Sequence, residues 1–221
     1  MEFDLSGAFG CNPTIASSLC EIMGRHGSDK GNARNTAQHN YTIFYEKLFL
    51  PMKEKPLRLF ELGLGTNNTD VPSNMGPNGK PGASHRGWRE FFPNAQIFGA
   101  DIDSRVLFQE DRISTFYCDQ TSPTSINELW SNDALCEPYD IIVEDGLHEY
   151  NANVCFFENS FHMLKSGGVY IIEDIKYNAI NAYAESINTW TIRYPGSKFD
   201  LLVLPHIYNR SDNILMVVRK A

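Results

Sequence analysis

The chain has 221 residues, which suits one large domain, and 42% of them are apolar, enough to build a sizeable core. Its formal net charge of −8 would repel a phosphate backbone, so nucleic acid is disfavoured as a partner. No apolar run approaches the roughly 18 residues of a membrane span, and the acidic start Met1-Glu2-Phe3-Asp4 is unlike a secretory signal. Five scattered cysteines with no C-x-x-C pair favour a reducing, cytoplasmic setting over a disulfide framework.

Two helices are predicted before the first strand. In the first, over residues 12–24, Asn12 can serve as the N-cap and Pro13 suits the first helical position. A polar stretch from 27 to 40 separates it from a second helix over about 41–50. We expect residues 1–50 to form a helical cap on a core spanning 57–221, all within a single domain.

From residue 57 onward, strands and helices alternate. The predicted strands cover residues 57–62, 95–100, 112–118, 139–143, 169–172, 199–204 and 213–219. The predicted helices cover residues 84–92, 122–130, 150–164 and 179–190. Gly167-Gly168 is expected to end the third of these helices. This order is typical of an α/β fold with a parallel sheet between two helical layers. The last two strands have no helix between them and are expected to pair antiparallel at one edge.

The first predicted strand ends in a glycine-rich turn, Glu-Leu-Gly-Leu-Gly-Thr over residues 61–66. Glycines there let the backbone approach a ligand at the carboxyl edge of the sheet, although a plain tight turn is the alternative. Asn68 stands where a dinucleotide motif has its third glycine, and the next helix starts about twenty residues late, which disfavours NAD. The long loop over 67–83 is interpreted as a lid or a subunit contact, with a disordered surface loop as the alternative.

The next two strand ends carry polar side chains. Asp101 follows the second strand, where a carboxylate can accept hydrogen bonds from both ribose hydroxyls. The alternative is that Asp101 lies in a turn and Asp103 only caps a helix. Asp119 and Gln120 follow the third strand and can accept a hydrogen bond from an adenine amino group, with a solvated turn as the alternative.

Acidic residues end the fourth and fifth predicted strands. Neighbouring strand ends bring Asp145, Glu173 and Asp174 together, and like charges at short range are costly unless a cation neutralises them. Oxygen ligands favour magnesium, calcium or manganese over zinc. His148 lies three residues beyond Asp145 and can take a proton from a metal-bound hydroxyl, whereas the other five histidines are interpreted as structural or exposed.

These motifs together resemble the class I S-adenosylmethionine-dependent methyltransferases. The resemblance rests on E-L-G-L-G at 61–65, G-A-D-I-D at 99–103, D-Q at 119–120, D-G-x-H at 145–148 and L-K-S-G-G-V-Y-I-I-E-D at 164–174. More narrowly, the chain is similar to metal-dependent O-methyltransferases that modify sugar hydroxyls in macrolide and aminocoumarin antibiotics. The resemblance covers residues 18–220 and implies a Rossmann-like fold with N-terminal helices, whose seven-stranded sheet is mostly parallel with an antiparallel edge strand.

The resemblance implies methyl transfer from S-adenosylmethionine to a sugar hydroxyl, with Mg²⁺ or another hard divalent cation. It implies as donor-binding residues Glu61, Gly63, Gly65, Thr66, Asp101, Asp119 and Gln120. It implies Asp145, Glu173 and Asp174 as metal ligands and His148 as the general base. The expected partner is a sugar-containing small molecule, with no nucleic acid or membrane, and the chain is expected to form a homo-oligomer.

Two alternatives stay open at this point. A catechol-like phenol presents an oxygen pair similar to that of a vicinal diol, so the metal residues alone do not separate the two acceptors. A non-catalytic nucleotide-binding protein of the same fold is the other alternative, disfavoured because burying three unneeded acids would cost stability. A nicotinamide oxidoreductase is excluded by Asn68 and the late helix.

Overall fold

The structure is a computed structural model that describes residues 17–31, 39–204, 206, 209 and 211–221. Helix α1 spans Ser18–His26, with the Ser17 side chain capping its start and Gly27 in a left-handed conformation at its end. The predicted start of this helix at Asn12 and Pro13 lies outside the described residues. Helix α2 spans Tyr41–Phe49, which confirms the second predicted helix.

A single sheet of eight strands follows. The strands are β1 (Leu57–Leu62), β2 (Ala95–Asp101), β3 (Gln109–Glu110), β4 (Ile113–Tyr117), β5 (Tyr139–Glu144), β6 (Leu164–Ile172), β7 (Lys198–Val203) and β8 (Ile214–Arg219). Their order across the sheet is β3-β4-β2-β1-β5-β6-β8-β7. The five central strands from β4 to β6 are parallel, and β8 pairs antiparallel with both β6 and β7. The predicted parallel sheet with an antiparallel edge is therefore confirmed.

Two details of the prediction are wrong. The sheet has eight strands and not seven, because the two-residue β3 pairs antiparallel with β4 and is too short to leave an apolar pattern. The helix predicted over 150–164 ends earlier: α5 spans Tyr150–Ser160, and a 3-10 turn over Phe161–Met163 leads directly into β6. Gly167 and Gly168 therefore lie inside β6 and do not end the helix. The apolar spacing continued through this junction because both elements are buried.

Helices cover both faces of the sheet, as predicted. The remaining helices are α3 (Ala83–Phe91), α4 (Pro123–Trp130) and α6 (Ile180–Arg193). Leu59 of β1 packs in a cluster with residues of α1, α2 and α3, whereas its neighbour Phe60 packs in a second cluster with α4, α5 and α6. Since successive strand residues point to opposite faces, this alternation shows that the central strands are buried on both sides.

This arrangement brings the carboxyl ends of β1, β2, β5 and β6 to one edge of the sheet, which is where ligands bind in open α/β folds. Among the described residues, no helix is long and apolar enough to cross a membrane. The four cysteines in the described ranges, Cys20, Cys118, Cys136 and Cys155, form no disulfide.

Candidate active site

The turn after β1 approaches the turn after β5 at very short range. Gly63 has φ +93°, and a Cβ atom built on it would lie 1.9 Å from the carbonyl oxygen of Asp145. Gly65 also has a positive φ, +73°. Both positions require glycine because an L side chain rarely adopts this backbone conformation and because no space is left for one at Gly63. The alternative that these glycines form only a tight turn does not describe them fully, because Gly63 and Gly65 also line a cavity.

Asp101 ends β2 and fixes the glycine turn. One carboxylate oxygen accepts a hydrogen bond from Leu64 N and the other from Asp103 N, each at 2.8 Å. Burial raises the pKa of Asp101, an effect that these backbone N–H groups oppose. Each carboxylate oxygen has further acceptor capacity, so Asp101 can hold the loop and still accept from a ligand.

Asp103 and Thr66 position the same turn from the side. Asp103 Oδ2 accepts from the Thr66 hydroxyl at 2.6 Å and from Asn68 Nδ2 at 2.7 Å, while Oδ1 accepts from Arg105 Nε at 2.6 Å. Hydrogen bonding to Arg105 is the main reason that the pKa of Asp103 lies well below its usual value. Asn68, which departs from the dinucleotide motif, therefore belongs to a loop-holding network.

Gln120 has its side-chain amide committed to the protein. Its Oε1 accepts from Leu147 N at 2.6 Å, and its Nε2 donates to Glu144 Oε1 at 3.3 Å. The side chain thus fixes the turn that carries Asp145 and His148. Asp119 is half-buried beside it, with one oxygen accepting from the backbone and hydroxyl of Thr121.

A cavity of about 600 Å³ lies between these turns and the loop over residues 67–83. That loop is folded back onto the glycine turn, with Met75 N donating to Thr66 O at 2.8 Å and Ser73 Oγ donating to Leu147 O at 2.9 Å. Nine of the predicted site residues line the cavity: Gly63, Gly65, Thr66, Asp101, Asp119, Gln120, Asp145, His148 and Asp174. Glu61 and Glu173 are not among the lining residues.

Three side chains at the cavity floor form a group suited to a metal ion. Asp145, His148 and Asp174 each offer one ligand atom, and these atoms all lie within 4.8 Å of one another. His148 Nε2 is 3.0 Å from Asp145 Oδ1, and His148 Nδ1 is 3.6 Å from Asp174 Oδ2. Both His148 and Asp174 have positive φ values, +59° and +54°, which turn the chain directly after β5 and β6. The two carboxylates supply oxygen donors of the kind that Mg²⁺ or Mn²⁺ prefers.

Electrostatics at the floor favour the charged form of His148 but not that of Asp174. Burial opposes protonation of His148, but the hydrogen bond to Asp145 and the charge of Asp174 outweigh it and raise the pKa of His148 to about 9. Burial raises the pKa of Asp174, while the nearby His39 and His148 act in the opposite direction. With all three groups charged, the two acids and the histidine carry a net charge of −1, which a bound cation would offset.

Behind the floor lies a second set of acids, arranged around Lys30. The Lys30 ammonium is 2.6 Å from Asp145 Oδ2, 2.5 Å from Glu173 Oε2 and 3.0 Å from Glu61 Oε1. Burial opposes the charge on Lys30, but these three carboxylates raise its pKa well above the usual value. Glu61 also accepts from Trp88 Nε1 at 2.6 Å. The structure thus places Glu61 and Glu173 in contact with Lys30, as it does Asp145.

Sequence reasoning missed the residues that the N-terminal segment brings to this site. Tyr41 donates to Asp174 Oδ1 at 2.8 Å, and Tyr45, one helical turn later on α2, donates to Glu173 Oε1 at 2.6 Å. His39 Nε2 lies 3.4 Å from Asp174 Oδ1, a contact that the interpretation of this histidine as structural or exposed does not include. The available signals were an isolated lysine in the polar stretch and two tyrosines four residues apart, which lie on one helix face.

No protein-family model matches the chain. A rhamnosyl tetracenomycin-C 2'-O-methyltransferase from Streptomyces olivaceus is 34% identical over 158 residues, which is 72% of this chain and 38% of that protein. Demethylmacrocin O-methyltransferase from Streptomyces fradiae is 32% identical over 162 residues, 72% of this chain and 34% of that protein. Mycinamicin VI 2''-O-methyltransferase from Micromonospora griseorubida is 30% identical over 159 residues, 72% of this chain and 33% of that protein.

The chain is a homologue of bacterial sugar O-methyltransferases. The chain spans about a third of the length of those relatives. Among solved structures, the MycE methyltransferase of mycinamycin biosynthesis, in complex with Mg, SAH and mycinamycin VI, matches with a TM-score of 0.67 at 22% identity, over 94% of this chain and 56% of that chain. A protein described as a caffeoyl-CoA O-methyltransferase from Staphylococcus aureus matches with a TM-score of 0.54 at 13% identity, over 93% of both chains. The homologue therefore has the Rossmann-like methyltransferase fold.

Proposed function

We propose that the chain binds S-adenosylmethionine and, with a divalent cation, methylates a hydroxyl group of a sugar-containing small molecule. One observation carries the proposal. A single cavity of about 600 Å³ is bounded at one side by the glycine turn and Asp101, and at its floor by Asp145, His148 and Asp174. A methyl donor in that cavity would lie beside a group able to hold a cation and accept a proton.

The donor would use the cavity wall formed by β1 and β2. Gly63 and Gly65 line the cavity where the methionine part would lie, and Asp101 would accept hydrogen bonds from the ribose hydroxyls. Asp119, which lines the same cavity, would accept a hydrogen bond from the adenine amino group. Gln120 contributes a wall and fixes the turn over residues 145–148, since its amide is already bonded to Leu147 and Glu144.

Asp145 and Asp174 would hold the divalent cation. A bound Mg²⁺ makes a hydroxyl that it binds more acidic, which is the chemistry it would supply here. His148 would accept the proton in its neutral form, which a cation held beside it favours because the nearby positive charge lowers the pKa of the ring. Asp145 Oδ1, 3.0 Å from His148 Nε2, would orient the ring. Tyr41 holds Asp174 in place through its hydroxyl. Catalysis then depends on positioning donor and acceptor in a site from which water is excluded.

A second cavity supports a sugar acceptor. It has a volume of about 310 Å³, and His148 lines it as well as the donor cavity. Its other walls include Tyr150, Asn178, Lys176 and Tyr183. Phenol, amide and ammonium groups among these residues can hydrogen-bond with the hydroxyls around a sugar ring. A hydroxyl reaching from this cavity past His148 would meet the donor.

The relatives support a sugar over the alternatives. The names of the three curated relatives describe O-methyltransferases, and that of the tetracenomycin protein specifies a rhamnosyl group. They do not favour a catechol acceptor, and the cavity with its acidic floor does not favour a non-catalytic protein. The chain spans about a third of the length of those relatives, and we propose the sugar O-methyltransferase activity for it on this basis.

The test is an acceptor panel with methyl-labelled S-adenosylmethionine and Mg²⁺. The panel contains L-rhamnosides of aromatic polyketides, the free aglycones and simple catechols. We expect label on the rhamnosides and none on the aglycones. Label on catechols alone would replace the sugar with a phenol, and binding of S-adenosylhomocysteine without transfer to any member would remove support for the sugar assignment.

A further inference from the structure

The walls of the donor cavity carry acids on several sides and very few basic groups. Among the described residues that line it, Lys80 is the only lysine or arginine. The acids that line it are Asp29, Asp101, Asp119, Asp145 and Asp174. S-adenosylmethionine has a sulfonium and an α-ammonium, which such walls attract, and one α-carboxylate, which they repel. The carboxylate therefore needs the one part of the wall where a cation lies.

The backbone on both sides of Lys80 is bonded to the segment that begins with the glycine turn. Gly79 O accepts from Asn67 Nδ2 at 3.0 Å, and Gly82 N donates to Leu64 O at 2.7 Å. Leu64 lies between the two glycines of that turn, beside which the methionine part of the donor would lie. Lys80 is thus held next to the amino-acid end of a bound donor.

The side chain of Lys80 passes the C-terminal end of α1. A Cβ atom built on Gly27 would lie 2.6 Å from Lys80 Cδ, so the lysine stem covers this glycine. The ammonium itself is exposed and forms no hydrogen bond or ion pair with any residue that the structure describes. Asp29, two residues beyond Gly27, is also exposed, and within the described ranges no ion pair joins it to Lys80 or to another side chain. Both side chains line the cavity with their charges unpaired there.

We propose that Lys80 and Asp29 form the subsite for the amino-acid end of the methyl donor, with Lys80 binding its α-carboxylate and Asp29 its α-ammonium. The inference rests on the proposed function, because it takes S-adenosylmethionine as the occupant of the cavity. Two opposite charges on one end of the ligand match two opposite charges at one end of α1. Ala83 and Ser84, the first residues of α3, also line the cavity, so the positive end of that helix adds to the attraction for the carboxylate.

The test compares three ligands that differ only at this end. S-adenosylhomocysteine has both charges, decarboxylated S-adenosylmethionine keeps the ammonium, and 5′-methylthioadenosine has neither. Each Kd is measured by calorimetry on the full chain in chelator, without acceptor. Lys80→Met keeps the stem and removes the charge, and Lys198→Met, at an exposed position of β7 outside the cavity, is its matched control. We expect Lys80→Met to weaken S-adenosylhomocysteine at least about fivefold and to leave the other two ligands within about twofold.

Asp29→Asn tests the other half of the subsite, with Asp200→Asn, also exposed on β7, as its control. We expect Asp29→Asn to weaken both ligands that carry the ammonium at least about threefold and to leave 5′-methylthioadenosine within about twofold. Since neither Lys80 nor Asp29 has a partner among the described side chains, both variants should melt close to the unaltered chain.

The outcomes separate this inference from the proposed function. Equal affinity of Lys80→Met and Lys198→Met for S-adenosylhomocysteine would overturn it, even where the unaltered chain binds that ligand and transfers methyl groups. A loss in Lys80→Met that is as large for 5′-methylthioadenosine would overturn it too, because the lysine would then only support the loop. Asp29→Asn that binds the decarboxylated ligand as Asp200→Asn does would overturn the role of Asp29. Absence of S-adenosylhomocysteine binding by the unaltered chain would contradict the proposed function, and this inference with it.

Discussion

Replacing Gly63 with alanine tests whether the contact between the turns after β1 and β5 is as tight as the structure indicates. Gly63 has φ +93°, and an added Cβ would lie 1.9 Å from Asp145 O. A left-handed conformation costs an alanine about 1–2 kcal/mol. The overlap forces the Asp145 backbone away and adds the cost of overpacking, about 1–3 kcal/mol. We therefore expect a loss of about 2–5 kcal/mol in the free energy of unfolding.

Gly167 provides the matched control. Its φ is +76°, but a Cβ there would have nothing within 4 Å. Gly167→Ala should cost only the conformational part, about 1–2 kcal/mol. For a domain of this size each kcal/mol corresponds to about 2–4 °C in melting temperature. The difference between the two variants isolates the contact with Asp145.

The assay is thermal unfolding of both variants, followed by calorimetric titration with S-adenosylhomocysteine and Mn²⁺. Since the Gly63 turn borders the cavity and its clash displaces Asp145, Gly63→Ala should weaken both ligands, whereas Gly167→Ala should weaken neither. Equal melting temperatures for the two variants, with ligand affinities unchanged, would refute the reasoning.

Four further predictions follow from single contacts. His148→Ala should lower kcat by about 10²–10⁴-fold, the worth of a positioned base, and leave the Kd for S-adenosylhomocysteine within about twofold; unchanged kcat would remove it as the base. Asp101→Asn, which loses one of the acceptors that hold the glycine turn, should raise that Kd about tenfold by calorimetry. Tyr45→Phe should cost about 1–3 kcal/mol in chemical denaturation because it leaves an oxygen of the buried Glu173 without its donor, whereas Tyr117→Phe at a half-exposed position should cost under about 0.5 kcal/mol. Because the pKa of Asp103 is lowered in the folded chain, the Asp103 carboxylate stabilises the fold above its unfolded-state pKa of about 4, and this contribution is lost as the pH falls below that. The difference in free energy of unfolding between the unaltered chain and Asp103→Asn should therefore shrink from pH 7 to pH 3. A difference that does not change with pH would contradict this prediction.

The strand ends were predictable because a buried parallel strand leaves a strong local pattern. In β5, for example, residues 141–143 form an unbroken apolar run. The polar residues that follow such a run lie at the carboxyl edge of the sheet. The positions of Asp101, Asp145, His148 and Asp174 on the cavity wall follow from that rule alone.

The contacts of Lys30 were not predictable in the same way. Lys30 lies 115 residues before Asp145 and 143 before Glu173, and no local period connects them. The sequence argument predicts a metal ion as the cation that compensates three acids, and the structure shows that Lys30 provides part of this compensation. The backbone at Asp174 has a positive φ, which accompanies the different environments of Glu173 and Asp174. The spacing of residues in the sequence does not predict such a backbone angle.

The most direct test of the central claim is methyl transfer to an L-rhamnoside by one sample of the protein, assayed in Mg²⁺, then after chelation, then after Mg²⁺ is restored. S-adenosylhomocysteine binding is measured at each stage as the control. The account predicts that transfer is lost on chelation and recovered with Mg²⁺, while binding of S-adenosylhomocysteine persists throughout. Transfer that continues at full rate in chelator would contradict the role assigned to Asp145 and Asp174 at the cavity floor.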